Sequence, residues 1–209
     1  MARRVFFLPG ASGAGAFWQP VADLLPPDFE SHLFDWPGLG EIPRDPAVNS
    51  LQDMVDLVLA RIGHRAVDLV AQSMGGVVAV RVALGRPDLI RRLVLVATSG
   101  GVDLSPFDME DWRPEYRGDY PDALPFITDP HHEDLSEQLR TLSIPCLLLW
   151  AKGDRISPPE VGQDLASKLP DARLRVLDFS DHMFARDHAD TVAPLIIEHL
   201  SGSAEGQHQ

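Results

Sequence analysis

Crosslinks, membrane spans and metal-binding cysteines are all missing from this sequence. Its 209 residues include a single cysteine, Cys146, so the chain has neither a disulfide framework nor the cysteine spacing of a metal site. Cys146 lies in an apolar run and is predicted to be a buried packing residue. No segment approaches the ~18 consecutive apolar residues of a membrane-spanning helix. A chain of this length can bury a substantial core as one domain.

Positive charge is also scarce. Lysine and arginine total 18 against 31 aspartate and glutamate residues, which gives a formal net charge of -13 and a pI near 4.9. A strongly acidic chain is repelled by nucleic acids and by anionic membrane surfaces. We therefore expect no nucleic-acid or membrane partner, and a small molecule as the ligand.

The N-terminus resembles a secretory leader only superficially. Two arginines precede the apolar run VFFL, which ends at Pro9 after four residues. A leader needs an apolar region of about 7 residues or more. The same residues are required as the first strand of the fold, so the protein is expected to be cytoplasmic.

Strand and helix patterns alternate along the chain, which is typical of a parallel sheet with helices on both faces. We predict one α/β domain over residues 1–200 and a small, polar, frayed tail over 201–209. The predicted strands cover residues 4–8, 31–34, 66–71, 93–97, 146–150 and 173–179. The predicted helices cover residues 18–25, 51–62, 75–85, 159–169 and 189–200.

The most informative segment reads VDLVAQSMGG and centres on Ser73. An apolar strand ends at this serine, and a helical pattern of small residues follows. A strand, sharp turn and helix around a G-x-S-x-G-like pattern would place the serine hydroxyl at the carboxyl edge of the sheet. Ala71 and Gly75 are small enough for strand and helix to approach closely. The alternative is a serine that only caps the following helix.

Two further polar residues follow predicted strands. Asp154 comes just after the strand at 146–150, and His182 lies in the loop after the last strand. Carboxyl ends of parallel strands share one edge of the sheet, so these residues are expected beside Ser73. Asp103, which follows the strand at 93–97, is the alternative acid.

Three segments carry a resemblance to the α/β-hydrolase fold superfamily, over about 200 residues. They are FFLPGASGAGAFW at 6–18, FDWPGLG at 34–40 and HMFARD at 182–187. The first resembles the oxyanion loop of the family, and the last resembles its catalytic-histidine segment. The sequence departs from the family pattern at four positions. Pro9 stands where the family usually has histidine, and Ala71, Ala151 and Asp181 stand where it usually has glycine.

The resemblance implies a serine hydrolase with Ser73 as nucleophile, His182 as base and Asp154 as the orienting acid. It also implies an oxyanion hole formed by the backbone N–H groups of Met74 and Ala11. The expected substrate is a carboxylic ester, thioester or lactone, cleaved through an acyl-enzyme without a metal or other cofactor. The alternative is a non-hydrolytic protein of the same fold, either a ligand receptor or an enzyme acting on a C–C bond.

The segment at residues 99–140 interrupts the alternation and, by the resemblance, forms a small lid. Forty-odd residues predict a shallow or open site. Its aromatic side chains either contact the substrate or pack an irregular loop against the core. These residues are Phe107, Trp112, Tyr116, Tyr120 and Phe126. Residues 131–134 read HHED, a set of side chains that could bind a metal. A short charged stretch of this kind is more typical of the solvated start of a helix.

Overall fold

A six-stranded, fully parallel sheet forms the centre of the computed structural model, which describes residues 2–128 and 134–202. The strands are β1 (Arg3–Leu8), β2 (Phe29–Leu33), β3 (Val67–Gln72), β4 (Ile90–Val96), β5 (Cys146–Ala151) and β6 (Ala172–Leu177). They lie side by side in the order β2-β1-β3-β4-β5-β6. The predicted α/β class is confirmed, and each predicted strand is present with its ends shifted by a few residues.

Helices connect the strands. In the described residues they are α1 (Gln19–Ala22), α2 (Leu51–Ile62), α3 (Met74–Gly85), α4 (Arg113–Asp119), α5 (Ser136–Leu139), α6 (Pro159–Lys168), α7 (Phe184–Asp187) and α8 (Ala189–Ser201). The helix predicted over 18–25 is wrong in extent, because a 3-10 turn (Gly15–Trp18) precedes an α1 of four residues. Pro20 lacks a backbone N–H and therefore fits only the first turn of α1. None of these described helices is long and apolar enough to cross a membrane.

The sheet separates two hydrophobic cores. In β1, Phe6 and Leu8 pack on one face, and Val5 and Phe7 pack on the other. All six residues of β3 and of β5 are buried, as is usual for central parallel strands covered by helices on both faces. Cys146 is buried as predicted, and burial raises the pKa of its thiol to about 12. It therefore stays a neutral packing residue.

The strand order creates a crevice at the carboxyl edge of the sheet. The chain moves from β1 outward to β2 and then returns to β3 on the other side of β1. The loops after β1 and β3 consequently leave in different directions, and open α/β sheets bind ligands at such a reversal. Ser73 follows β3 directly, and the loop at 9–14 follows β1. The topology thus brings the serine and the oxyanion-loop segment together.

The segment at 99–140 contains more regular structure than its sequence suggests. Helix α4 and a 3-10 turn (Pro125–Ile127) lie within it, followed by α5. Aromatic rings four residues apart stabilise α4: Tyr116 lies 5.4 Å from Trp112 and 5.0 Å from Tyr120, between ring centroids. Contacts of this kind, rather than hydrophobic periodicity, fix the helix.

The stretch at 131–134 is only partly within the described residues. His131, His132 and Glu133 lie outside them, and so does the metal-site hypothesis that rested on them. The carboxylate of Asp134 accepts hydrogen bonds from the backbone N–H and hydroxyl of Ser136, at 2.9 and 2.5 Å. This arrangement is that of a residue at the start of a helix.

Candidate active site

Ser73 occupies a strained turn between β3 and α3. Its backbone dihedrals are φ 53° and ψ −126°, in a region that residues with a side chain rarely adopt. Such a conformation costs on the order of 1–3 kcal/mol and persists only where the surroundings impose it. Here the Ser73 N–H donates to Val96 O at 3.0 Å, and Gly76 N–H donates to Ser73 O at 2.9 Å. Within the described chain the hydroxyl makes no capping hydrogen bond, so the helix-cap alternative has no support.

Two glycines after the serine let α3 begin against the sheet. A Cβ on Gly75 would lie 2.3 Å from the carbonyl oxygen of Pro9, and one on Gly76 would lie 2.5 Å from the side chain of Thr98. Both distances are far below a normal contact. The small residues of the motif are therefore required by the close approach of the helix to the ends of β1 and β4.

His182, which is partly buried, and Asp154, which is fully buried, form a pair at the same edge. The distance between His182 Nδ1 and Asp154 Oδ2 is 2.7 Å. The other carboxylate oxygen, Oδ1, accepts the backbone N–H groups of Ile156 and Ser157, each at 2.9 Å. Asp154 is 3% exposed, so both oxygens are held in place. Because a carboxylate only accepts hydrogen bonds, Nδ1 is the donor, and in the neutral imidazole Nε2 carries the lone pair.

His182 lines the same cavity as Ser73. Its Nε2 is buried and has no hydrogen-bond partner among the described residues. A histidine whose Nδ1 is held by a buried acid keeps its Nε2 available to accept a proton.

Asp103, the alternative acid, lies elsewhere. Its carboxylate is exposed and accepts hydrogen bonds from the N–H and hydroxyl of Ser105, at 2.9 and 2.8 Å. The geometry thus pairs His182 with Asp154 and leaves Asp103 as a loop residue.

The loop after β1 lies directly against the serine. A Cβ on Gly10 would be 3.0 Å from Ser73 Cβ and 2.4 Å from the Gln72 side-chain oxygen, so a larger residue there would displace these side chains. Ala11, one of the predicted oxyanion donors, is the next residue. Met74, the other, is the first residue of α3 and lines the cavity. N–H groups in the first turn of a helix lack intrahelical acceptors and can bind an anion.

Three aromatic donors hold this loop in the absence of the histidine usual in the family. The indole N–H groups of Trp18 and Trp36 donate to the carbonyl oxygens of Leu8 and Pro9, at 3.0 and 2.7 Å. The Tyr116 hydroxyl donates to the carbonyl oxygen of Ala11 at 2.8 Å.

Asp35, in the turn after β2, also fixes the loop. Its carboxylate accepts the Gly15 N–H at 2.7 Å. Sequence reasoning did not identify any of the bracing contacts of the tryptophans or of Tyr116, which join residues distant in the chain.

The cavity beside Ser73 has a volume of about 310 Å³. This is at the small end of ligand pockets, which span roughly 300–1,000 Å³. Trp112 and Phe126, from the segment at 99–140, line it, whereas the Tyr116 hydroxyl donates to the carbonyl oxygen of Ala11 in the loop after β1. Some aromatics of this segment therefore face the cavity, and Tyr116 fastens the segment to the core. Over residues 2–128 and 134–202 no cluster of three or more metal-ligating side chains occurs.

A serine on a strained strand–helix turn, with a histidine paired to a buried aspartate at the carboxyl edge of a parallel sheet, defines the α/β-fold hydrolase class. The sequence matches the alpha/beta hydrolase fold family over residues 3–139, and the chain belongs to this family. The predicted family is thereby confirmed.

Relatives with assigned names agree with this class. The pimeloyl-[acyl-carrier protein] methyl ester esterase of Vibrio campbellii is 28% identical, over 88% of this chain and 85% of that enzyme. A 2-hydroxy-6-oxononadienedioate/2-hydroxy-6-oxononatrienedioate hydrolase of a Pseudomonas species is 22% identical, over 92% of this chain and 84% of that enzyme. The chain is thus similar to esterases and other hydrolases, as the prediction of an ester-hydrolysing enzyme requires.

A solved structure shows the same fold. A thermophilic esterase from Thermogutta terrifontis superposes with a TM-score of 0.79 at 22% identity, covering 96% of this chain and 90% of the esterase. At this identity the likeness concerns the architecture.

Proposed function

We propose that the protein is a serine hydrolase that cleaves a small-molecule carboxylic ester, thioester or lactone through an acyl-enzyme on Ser73. The observation that carries this proposal is the His182–Asp154 pair, with 2.7 Å between Nδ1 and the carboxylate, whose histidine lines the same cavity as Ser73. The enzyme works as one catalytic domain in the cytoplasm, with residues 99–140 as its lid, and needs no cofactor.

In the first half of the reaction, His182 Nε2 takes the proton of the Ser73 hydroxyl as the oxygen attacks the substrate carbonyl. The N–H groups of Met74 and Ala11 stabilise the negative charge that develops on the carbonyl oxygen. Asp154 holds the imidazole in its reactive tautomer and stabilises the imidazolium. The proton then passes from His182 to the leaving alcohol or thiol, which leaves Ser73 acylated.

In the second half, a water molecule replaces the leaving group. His182 accepts a proton from the water, the hydroxide attacks the acyl carbonyl, and the same proton returns to Ser73 as the acid is released. The Asp154 carboxylate and the loop after β1 do not need to rearrange during these steps, because their hydrogen bonds are already formed.

The test is covalent labelling combined with turnover. A fluorophosphonate should modify Ser73, identified by peptide mass, and Ser73→Ala should reduce hydrolysis of p-nitrophenyl acetate and butyrate by roughly 10⁶-fold. Ser99, which also lines the cavity, supplies the control, and Ser99→Ala should keep both labelling and activity. Equal turnover by Ser73→Ala and the parent would refute the mechanism. Absence of labelling and turnover would favour the receptor alternative.

A further inference from the structure

The ionisable side chains that line the cavity beside Ser73 are basic, although the protein is acidic. Among the described residues these side chains are Arg81, Arg113 and His182, and no described carboxylate lines the cavity. The chain as a whole carries a formal charge of -13. The remaining lining is dominated by apolar side chains such as Val77 and Leu104. Charges in a cavity with apolar walls act on a ligand far more strongly than charges on an open surface.

Arg81 marks how far the cavity extends from the nucleophile. Ser73, Val77 and Arg81 are four residues apart and all line the cavity, so they lie along one face of α3. Eight residues of helix correspond to a rise of about 12 Å. The Arg81 backbone thus lies about two helical turns from the reacting serine. Arg81 also has a polar interaction of its own.

Arg113, the first residue of α4, brings a second cation to the cavity from the lid. Its Nη1 contacts the carboxylate of Asp111 at 2.9 Å, and the Asp111 side chain is 56% exposed. Exposed pairs of this kind are worth little, about 0–1 kcal/mol. Arg113 Nε is buried and makes no hydrogen bond to any described residue. Since a guanidinium has five N–H donors, Arg113 can bind a second anion without losing Asp111.

We propose that this cavity selects substrates with a second anionic group, namely half-esters of dicarboxylic acids, whose free carboxylate binds Arg113 with Arg81 nearby. The inference rests on the proposed function and deepens it. A carboxylate matches the planar donor fork of arginine, and a methylene chain matches the apolar wall between the arginines and Ser73. The exposed acidic residues of the lid, such as Asp108 and Glu110, do not attract such a substrate, so the selectivity arises inside the cavity.

The test compares monomethyl esters of straight-chain dicarboxylic acids from succinate to azelate with the corresponding dimethyl esters. The parent enzyme should prefer at least one half-ester over its diester by about 10-fold or more in kcat/KM. Arg113→Gln should reduce that preference by about 10- to 100-fold, the strength of a hydrogen bond between charged groups. Arg113→Lys, which retains the charge without the fork, should give an intermediate value.

Arg117 supplies the matched control, because it lies on the same helix and is exposed. Arg117→Gln should leave the preference unchanged. Equal kcat/KM for half-esters and diesters in the parent, or an equal loss of both in Arg113→Gln, would overturn the proposal. Stronger inhibition by hexyl phosphate than by hexanoate would assign the site to phosphate and would also contradict it.

A binding measurement separates this proposal from the proposed function. Calorimetry with the Ser73→Ala protein and monomethyl adipate requires no turnover. Binding that is weakened about 10-fold or more by Arg113→Gln supports the anion site, even if no ester is hydrolysed by the parent. Hydrolysis of neutral esters without binding of the half-ester supports the serine mechanism and refutes the anion site.

Discussion

The hydroxyl of Tyr116, in α4, donates a hydrogen bond to the carbonyl oxygen of Ala11 across 2.8 Å. The same hydroxyl oxygen accepts the backbone N–H of Gly40 at 3.3 Å. One side chain therefore joins α4, the loop after β1 and the turn after β2. Burial is the main cause that raises the pKa of Tyr116 above its usual value of 10, so the phenol remains a donor at neutral and moderately alkaline pH.

Tyr116→Phe tests whether this contact positions the oxyanion donors. The variant loses one hydroxyl and leaves Ala11 O and Gly40 N–H without their partner. We expect kcat to fall about 10-fold with little change in KM, because a misplaced donor weakens the transition state more than the bound ester. Binding of a trifluoromethyl ketone, which forms a tetrahedral adduct, should weaken in parallel.

Tyr120→Phe is the control, since Tyr120 packs against Tyr116 with ring centroids 5.0 Å apart. It should keep kcat within about 3-fold of the parent, as is usual for a near-surface change of one atom. A rise in KM with unchanged kcat in Tyr116→Phe would assign the residue to substrate binding instead.

Asp154→Asn tests the orienting acid. The N–H groups of Ile156 and Ser157 both require an oxygen at the Oδ1 position, so the new amide NH₂ must face His182 Nδ1. That nitrogen then has to accept, which places the proton on Nε2 and removes the base. We expect kcat to fall by about 10³- to 10⁴-fold with little change in substrate binding.

Asp103→Asn should have only a minor effect on kcat, because its carboxylate serves Ser105 in an exposed loop. If the two variants instead lost comparable activity, the pairing seen between Asp154 and His182 would not be the functional one. Burst kinetics with p-nitrophenyl acetate would show which half of the reaction each variant slows.

The candidate site was predictable where the signal is local. The apolar run, the serine and the glycines at 75 and 76 occupy consecutive positions, and each has a steric reason visible in the sequence. The choice between Asp154 and Asp103 depends on which loop reaches His182, and only the three-dimensional path of the chain decides that. Tyr116 and Ala11 are 105 residues apart and belong to no motif.

The two arginines of the cavity also differ in whether their positions could be predicted from the sequence. Arg81 repeats the spacing of Ser73 and Val77 on α3, so its position on that face could have been inferred once the serine was chosen. Arg113 lies in α4, a helix of seven residues without hydrophobic periodicity. Aromatic packing and Pro114 near its start stabilise that helix, and sequence periodicity does not report either effect.

Gly75→Ala tests the close packing behind the serine. The added methyl group would lie 2.3 Å from the carbonyl oxygen of Pro9, which is backbone and cannot rotate away. We expect the free energy of unfolding to fall by about 2–3 kcal/mol, in the upper range for overpacking, and activity to fall with the displaced turn. Urea unfolding and ester turnover measure the two effects.

Gly85→Ala is the matched control at the other end of α3. A Cβ there meets no atom within 4 Å, so the substitution should be neutral or stabilise the protein by up to about 1 kcal/mol. Equal stability of the two variants would mean that the start of α3 has room to move away from β1.

The last prediction concerns His199, in α8, whose titration makes stability depend on pH. Burial, and secondly the charge of Arg92, lower the pKa of His199 from 6.5 to about 4. Its Nε2 is buried without a hydrogen-bond partner among the described residues, so protonation would place a positive charge in a desolvated position near the Arg92 cation. Between pH 6.5 and 4 the unfolded chain binds a proton at this residue that the folded chain does not bind.

The free energy of unfolding should therefore fall as the pH is lowered through this window, by about 1.4 kcal/mol per pH unit from this residue. Carboxylates add their own dependence at low pH, so the measurement is the difference between His199→Gln and the parent in urea unfolding at pH 7 and pH 5. The variant should lose less stability than the parent over this interval. His64→Gln, at an exposed position, should follow the parent. Parallel curves for His199→Gln and the parent would show that protonation of His199 is not coupled to unfolding, because only a residue that binds a proton differently in the two states can change the slope.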